Sequence, residues 1–296
     1  ANFESLVTSL YTYLGREGNL LEETPEHCRQ VKLKTPILTN AELEKLRQVS
    51  VEGMKAVTLP MLFNVVDGEA GLQRALDDLC AAASRAVADG ATLLILSDRG
   101  LDRERAPIPS LLACAAVHHH LIREGTRTQA GLVVETGEAR EIHHFCLLLG
   151  YGAGAINPYL AFETIADLHR DGLLPAELSL EQACKNYVKA ANKGIIKVAS
   201  KMGISTVQSY RGAQIFEAVG LGPGLVEKYF TNTASRIGGI GLDVIARESV
   251  ERHRRAFPPI RVETGVLDLG GQYQWRREGE YHMWNPDTVA KLQHAV

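Results

Sequence analysis

Residues 91–98 read ATLLILSD, and their near-continuous apolar character decides the fold class. A strand apolar at every position, rather than every second one, is covered on both faces, as in a parallel sheet. On its amino side stands EAGLQRALDDLCAAASRAVADG (69–90), a long alanine-rich amphipathic helix stopped by Gly90. Before that, TLPMLFNVV (58–66) reads as a strand, with Asp67-Gly68 turning the chain. On the carboxyl side the loop RGLDRERAPIP (99–109) leads into a helix, SLLACAAVHHHLIREG (110–125), and then a strand, AGLVVET (130–136). GEAREIHHFCLLLG (137–150) reads as a helix, GAGAINPY (152–159) as a short apolar segment, and LAFETIADLHRDG (160–172) as a helix. Strand–helix alternation of this kind predicts an α/β fold: a βα-repeat domain with a mostly parallel sheet and helices on both faces. The sheet is either open or part of a barrel, because about five strands fall short of a complete eight-fold barrel.

Further out the pattern loosens. SLVTSLYTYLG (5–15) predicts a short helix, and GREGNLLEETPEH (15–27) a loop or extended arm. TNAELEKLRQV (39–49) predicts a helix capped by Thr39 or Asn40 with Glu42 in its first turn. LSLEQACKNYVKAANKGIIKVASKMG (178–203) is one long helix or two joined near Gly194. Ile204–Tyr210 is β-branched and predicts a strand, Arg211-Gly212 a turn, and Ala213–Val219 a helix stopped by Gly220. TNTASRIGGIGL (231–242) predicts a loop with a Gly-Gly pair, followed by a helix that Pro258-Pro259 ends. The tail from 259 holds short β-like pieces and a final helix near Asn285-Pro286. That helix is still running at Val296, so the chain is expected to be cut from something longer. Three regions are expected: a connecting segment 1–56, an α/β core 57–222, and a linker 223–296.

Of the 296 residues, 45% are hydrophobic and the net charge is −3, with no long basic or acidic block. Nucleic acid and anionic membrane are therefore not expected as partners. No run approaches transmembrane length, and ANFESLVTSLY has no signal-peptide pattern. Cys28, Cys80, Cys114, Cys146 and Cys184 are spread one per element, which argues for reduced thiols and against a cysteine-held metal or cluster.

Candidate functional residues follow from the parallel sheet, whose carboxyl ends form the usual ligand-binding rim. Asp98 and Arg99 follow LLILS, Glu135 and Thr136 follow GLVV, and Asn157 follows GAI. Tyr210 and Arg211 follow ISTVQ and would put a guanidinium at a strand–helix junction suited to an anion. Such polar residues also cap helices, and the Glu135–Glu138 stretch fits a cap for the helix from Ala139. His118, His119 and His120 point in directions about 100° apart on a helix and cannot converge on one ion. No nucleophile elbow or Walker loop is present.

Several long runs together carry a family resemblance: LGREGNLLEETPEH (14–27), LSDRG (96–100), IPSLLACAAVHHHLI (108–122), VVETGEAREIHHFCLLLGYGAGAINPYLAFE (133–163) and KVASKMGISTVQSYRGAQIFEAVGLG (197–222). SRIGGIGL (235–242) and GGQYQWRREGEYHMWNPDTVAKLQ (270–293) extend it. The chain resembles the central domain of the glutamate synthase large subunit. The resemblance implies a multidomain oxidoreductase in which a glutaminase domain releases ammonia. An FMN- and iron–sulfur-containing domain then combines that ammonia with 2-oxoglutarate to make glutamate. The implied partners are those two domains of the same chain, with NAD(P)H (through a small subunit) or ferredoxin as electron donor. The implied location is bacterial cytoplasm or plastid stroma. The segment itself would scaffold the domains and help form an ammonia tunnel without catalysing. Its family's catalytic cysteine, Gly-Ser-Met-Gly stretch and cysteine cluster match no position here, so no catalytic, cofactor or metal residue is expected. The alternative is a free-standing α/β enzyme or anion-binding protein with its site at the strand ends around Arg211.

Overall fold

A computed structural model describes residues 4–258, 270–272 and 274–295. In chain order the strands are β1 (Thr12–Gly15), β2 (Gln30–Leu33), β3 (Ala56–Pro60), β4 (Leu62–Asn64), β5 (Leu93–Ser97), β6 (Arg105–Pro107), β7 (Gly131–Glu135), β8 (Ala155–Asn157), β9 (Glu217–Leu221) and β10 (Ala234–Ile240). The helices are α1 (Glu4–Val7), α2 (Asn40–Arg47), α3 (Gly68–Ala88), α4 (Ser110–Arg123), α5 (Ile142–Gly150), α6 (Tyr159–Arg170), α7 (Leu180–Lys201), α8 (Val207–Tyr210), α9 (Pro223–Tyr229), α10 (Leu242–Ala256) and α11 (Pro286–Ala295). The chain separates into two compact units, Ala1–Arg255 and Ala256–Val296. Within the second unit, α11 starts at Pro286 with Asn285 accepting from the Thr288 N–H, an N-cap arrangement. Of the tail expected to hold β-like pieces, 259–269 lie outside the described residues, and the described residues between 270 and 285 form turns and bends rather than strands.

Inside the first unit, β3, β5, β7 and β8 form one parallel sheet in that order, each strand beside the next in sequence. Right-handed crossovers then send α3, α4 and α5 to a single face. The core agrees. Leu94, Leu96, Leu132, Val134 and Ile156 join the large cluster with Leu72, Leu76 and Leu79 of α3 and Leu112, Ala113 and Ala116 of α4. The alternate residues Leu93, Ile95, Val133 and Ala155 face the other way. There they meet Leu14 of β1 and Leu43 and Leu46 of α2. So both faces are covered, one by crossover helices, the other by α2 and the β1–β2 hairpin. Leu93 to Leu96 are all essentially inaccessible, and burying each contributes about 1.5–3 kcal/mol. The singly wound order is that of part of a barrel. Beyond β8, among the described residues, the sheet gains only an isolated bridge, Ile37 to Ile156.

Several local expectations need correction. Ile204–Tyr210 is not a strand. Gly203, at φ +72°, ends α7, and Thr206 caps the next turn by accepting from the Ser209 N–H. A capping threonine outweighs β-propensity where the pairing goes no further than a single bridge, here Ser9 to Thr206. Ala213–Val219 is not a helix either. Gly212 and Gln214 both sit at positive φ, and the chain from Glu217 pairs in parallel with β10. The expected loop at 231–242 is therefore a strand over Ala234–Ile240. Residues 5–15 hold β1 rather than a helix to Gly15, because Thr12–Gly15 pairs antiparallel with β2. TLPMLFNVV is split: Met61 separates β3, in the parallel sheet, from β4, which pairs antiparallel with β6 inside the expected loop 99–109. The helix expected from Ala139 begins at Ile142, and α7 runs unbroken through Gly194.

Candidate functional site

The carboxyl ends of the sheet hold five of the seven candidates. Register puts Ser97, Glu135 and Asn157 in one row across β5, β7 and β8. All three therefore point to the face carrying α2 and the hairpin. Glu135, 3% exposed, is the centre of the row. It accepts from the Ser97 hydroxyl at 2.5 Å, from Arg47 Nη2 at 2.9 Å and from Arg99 Nε at 2.8 Å. Burial by itself would raise its pKa. The Ser97 hydroxyl and then Arg47 and Arg99 overcome that and hold the carboxyl below its ordinary value. Arg47 also donates to Thr58 Oγ1 at 2.7 Å. Arg99 reaches Glu163 at 3.0 Å, with its guanidinium 3.9 Å from the centre of the Tyr159 ring.

Asp98 and Thr136 form a second pair beside this one. The Thr136 hydroxyl donates to Asp98 at 2.6 Å and the Gly137 N–H at 3.0 Å. Asp98 is 2% exposed, and burial raises its pKa against those bonds. Thr136 also accepts from the Glu138 N–H, closing a small turn. Glu138 caps α4 rather than its own helix, accepting from the Ser110 N–H at 2.6 Å. Asn157 is fully buried and donates to Leu38 O and Asn40 Oδ1, tying the start of α2 to β8. Its own Oδ1 has no partner among the described residues.

Between α2 and the rim lies a cleft of about 470 Å³, lined by Asn40, Leu43, Arg47, Thr58, Ser97, Arg99 and Glu135 among others. Its cations are neutralised from within. A phosphate-bearing cofactor would need a free guanidinium or an amide cradle, and both arginines here are bonded to Glu135. The rim does not fit such a group. The thiols do not suit a cluster either. Burial pushes Cys80 up to about 11 and Cys114 to about 12, and no three His, Cys, Asp or Glu side chains converge among the described residues.

Tyr210 and Arg211 are elsewhere. A methyl group built on Gly154 would lie 3.8 Å from Arg211 Nη1, and Gly154 immediately precedes β8. Arg211 is thus at the amino end of the sheet, about 10 Å from the rim by the rise from Gly154 to Asn157 along β8. The strand expected to deliver it to the rim does not exist. Tyr210 is buried, its ring edge-on to Phe216 and its hydroxyl beside the Cys146 thiol. Beside Arg211 stand Arg127, which no motif marks, and His118, one of the three consecutive histidines set aside as metal ligands. Arg127 Nε donates to His118 Nδ1 at 2.9 Å. Burial, with Arg127, His119 and Arg211 nearby, pushes His118 down to about 3, so it is neutral at pH 7. Arg47 and Ser97, the partners of Glu135, carried no sequence signal at all, since only the tertiary fold brings α2 over the rim.

Comparison with known proteins gives a consistent result. The family described as glutamate synthase central domain matches residues 2–222. The NADPH glutamate synthase large chain of Bacillus subtilis is 47% identical over 292 residues, 99% of this chain and 19% of that protein. The NADH glutamate synthase of Schizosaccharomyces pombe is 42% identical, over 99% of this chain and 14% of that protein. The chloroplastic ferredoxin-dependent glutamate synthase of Spinacia oleracea is 43% identical, over 99% and 18%. The chain therefore spans about a fifth or less of the length of these relatives. Among solved structures, a flavocytochrome b2 aligns at TM-score 0.37 and 17% identity, covering 74% of this chain and 46% of that one; so distant a likeness has no bearing on the site.

Proposed function

The chain belongs to the glutamate synthase central-domain family, and we propose that it is the linking domain of a glutamate synthase large chain. The whole protein would make L-glutamate from 2-oxoglutarate and glutamine-derived ammonia, using reduced FMN and an iron–sulfur cluster held in other parts of the polypeptide. Its partners would be the glutaminase and FMN-binding domains. Its electron donor would be NADPH, NADH or ferredoxin, the three that the relatives' names carry. Residues 57–222 would be the α/β core and 223–296 the passage towards the FMN-binding domain. Relatives from a bacterium and a chloroplast make bacterial cytoplasm or plastid stroma the proposed location. No helix among the described residues is long and apolar enough to cross a membrane.

The observation that carries this reading is the pairing of a family match over most of the chain with a rim whose charges satisfy one another. Glu135 bridges Arg47 and Arg99, and Asp98 is closed by Thr136 and Gly137. These residues hold α2 and, through Glu163, α6 to the sheet, as a scaffold requires. The test is the purified 296-residue chain, assayed for FMN absorbance and for ammonia release from glutamine. Neither is expected. Stoichiometric flavin or measurable glutaminase activity would overturn the non-catalytic role. A free-standing enzyme with its site at the strand ends around Arg211 has no geometric support, because Arg211 lies at the opposite end.

A further inference from the structure

The amino end of the sheet collects hydrogen-bond donors without matching acceptors. Arg127 uses three of its N–H groups, on His118 Nδ1 at 2.9 Å, Ala130 O at 2.8 Å and Gly152 O at 2.7 Å. A guanidinium has five, so two remain. His118 accepts from Arg127 on Nδ1, which puts the proton of its neutral ring on Nε2. Arg211 is the extreme case. Its side chain is only 12% exposed, yet its guanidinium makes no hydrogen bond among the described residues. The nearest carboxylate is Glu17, at 3.9 Å and itself half exposed. Glu17 is placed there by its backbone, its N–H donating to Thr128 O at 2.8 Å.

This differs from the other end of the same sheet. There Arg47 and Arg99, both more exposed than Arg211, are bonded to Glu135 at 2.9 and 2.8 Å. Two guanidiniums crowded together with one distant carboxylate leave a local excess of buried positive charge, which costs stability unless an anion compensates it. Burial, and for Arg127 the neighbouring Arg211, lowers the pKa of both, Arg127 to about 10. Both stay charged at pH 7.

We propose that Arg211, backed by Arg127 and flanked by Glu17, binds an oxyanion at the amino end of the β7–β8 edge. The shared chemistry is a carboxylate or a tetrahedral phosphate-class anion, either of which can take parallel N–H donors from a guanidinium. The source is a free small anion or an Asp or Glu side chain from polypeptide outside this chain. The site is separate from the rim and does not depend on the linking role.

The test is a titration of the 296-residue chain with sodium sulfate and with sodium acetate at fixed ionic strength. Arginine Nε–H resonances are followed by NMR. Saturable shifts of the Arg211 and Arg127 resonances are expected, with binding weakened about tenfold in Arg211→Gln, read there from Arg127, the loss expected for a charge-assisted bond. Glu17→Gln, which removes the competing carboxylate, should tighten binding severalfold; it carries the test if Arg211→Gln does not fold. Sulfate binding would assign a free tetrahedral anion. Acetate binding without sulfate would assign a carboxylate, the group an adjoining domain supplies. No saturable shift with either anion, in wild type and in Glu17→Gln alike, would overturn the proposal, as would equal affinities in all three proteins.

Discussion

Glu135 shows how a single side chain can join three layers of the molecule. It sits on β7 and takes donors from β5 through Ser97, from α2 through Arg47, and from the loop after β5 through Arg99. Glu135→Ala leaves a buried hydroxyl and two guanidiniums without their carboxylate. Both arginines are partly exposed, so screening reduces the loss from the 3–5 kcal/mol of a fully buried pair to about 2 kcal/mol, measured by urea denaturation at pH 7. The pH dependence follows from the sign of the shift. A carboxyl held below its ordinary value stabilises above the unfolded pKa and loses that contribution as pH falls through the folded one. Stability is therefore expected to fall below about pH 4.5, and Glu135→Gln should flatten that limb. Asp98 acts oppositely: its raised pKa favours folding in acid, and this is lost as pH rises through the folded value. His118 adds a separate limb. Its pKa is lowered to about 3, so the unfolded chain takes up a proton that the folded one refuses. Stability should drop progressively from about pH 6.5 towards 3. A His118→Gln variant that keeps the full slope in a pH series of denaturation curves would count against this assignment.

At the level of elements, backbones approach each other where the sequence supplies glycine. A Cβ on Gly239 would lie 2.2 Å from Gly220 O, across the β9–β10 pair, and one on Gly131 would lie 2.8 Å from the Gly15 N, between β7 and β1. Neither neighbour is a side chain that could rotate away. Gly239→Ala is expected to open β9–β10, losing about 2–3 kcal/mol and the amide protection of Val219 and Leu221 in hydrogen exchange. Gly224→Ala makes a control, since nothing lies near its built Cβ. The helices were largely legible. The α2 cap appears as expected, with Thr39 and Glu42 exchanging bonds, because a capping box is a local device. The strand at 217–221 was not legible, because its partner is another short strand, and pairing between distant segments leaves little mark in either one.

The whole molecule carries many exposed apolar side chains, including Leu20 and Leu21 above 90% and Val219 and Ile237 above 60%. In a chain that spans a fifth or less of its relatives' length, such surface is suited to covering by a partner. The isolated chain is expected to self-associate as its concentration rises, seen as a rising weight-average mass in sedimentation equilibrium. Leu20→Ser/Leu21→Ser, in a loop away from both clusters of the core, should reduce it. A mass that stays monomeric across the concentration range would show that these side chains are harmless in water.

The sequence by itself determined the α/β class, the strands β5 and β7, the approximate places of β3 and β8, the long helices between them and the family. Those are properties of apolar period, local capping and residue order, and each can be read within a window of some twenty residues. It also brought Asp98, Arg99, Glu135, Thr136 and Asn157 to one rim, because parallel strands necessarily share their carboxyl ends. Only the tertiary structure decided that Tyr210 and Arg211 lie at the other end, that Arg47 reaches Glu135, and that among the described residues Arg211 has only the half-exposed Glu17, 3.9 Å away, as its carboxylate. The reason is physical. Whether 204–210 becomes a strand depends on a neighbour with which to pair. Whether a guanidinium is neutralised depends on what the fold packs against it. Neither neighbour is close in sequence.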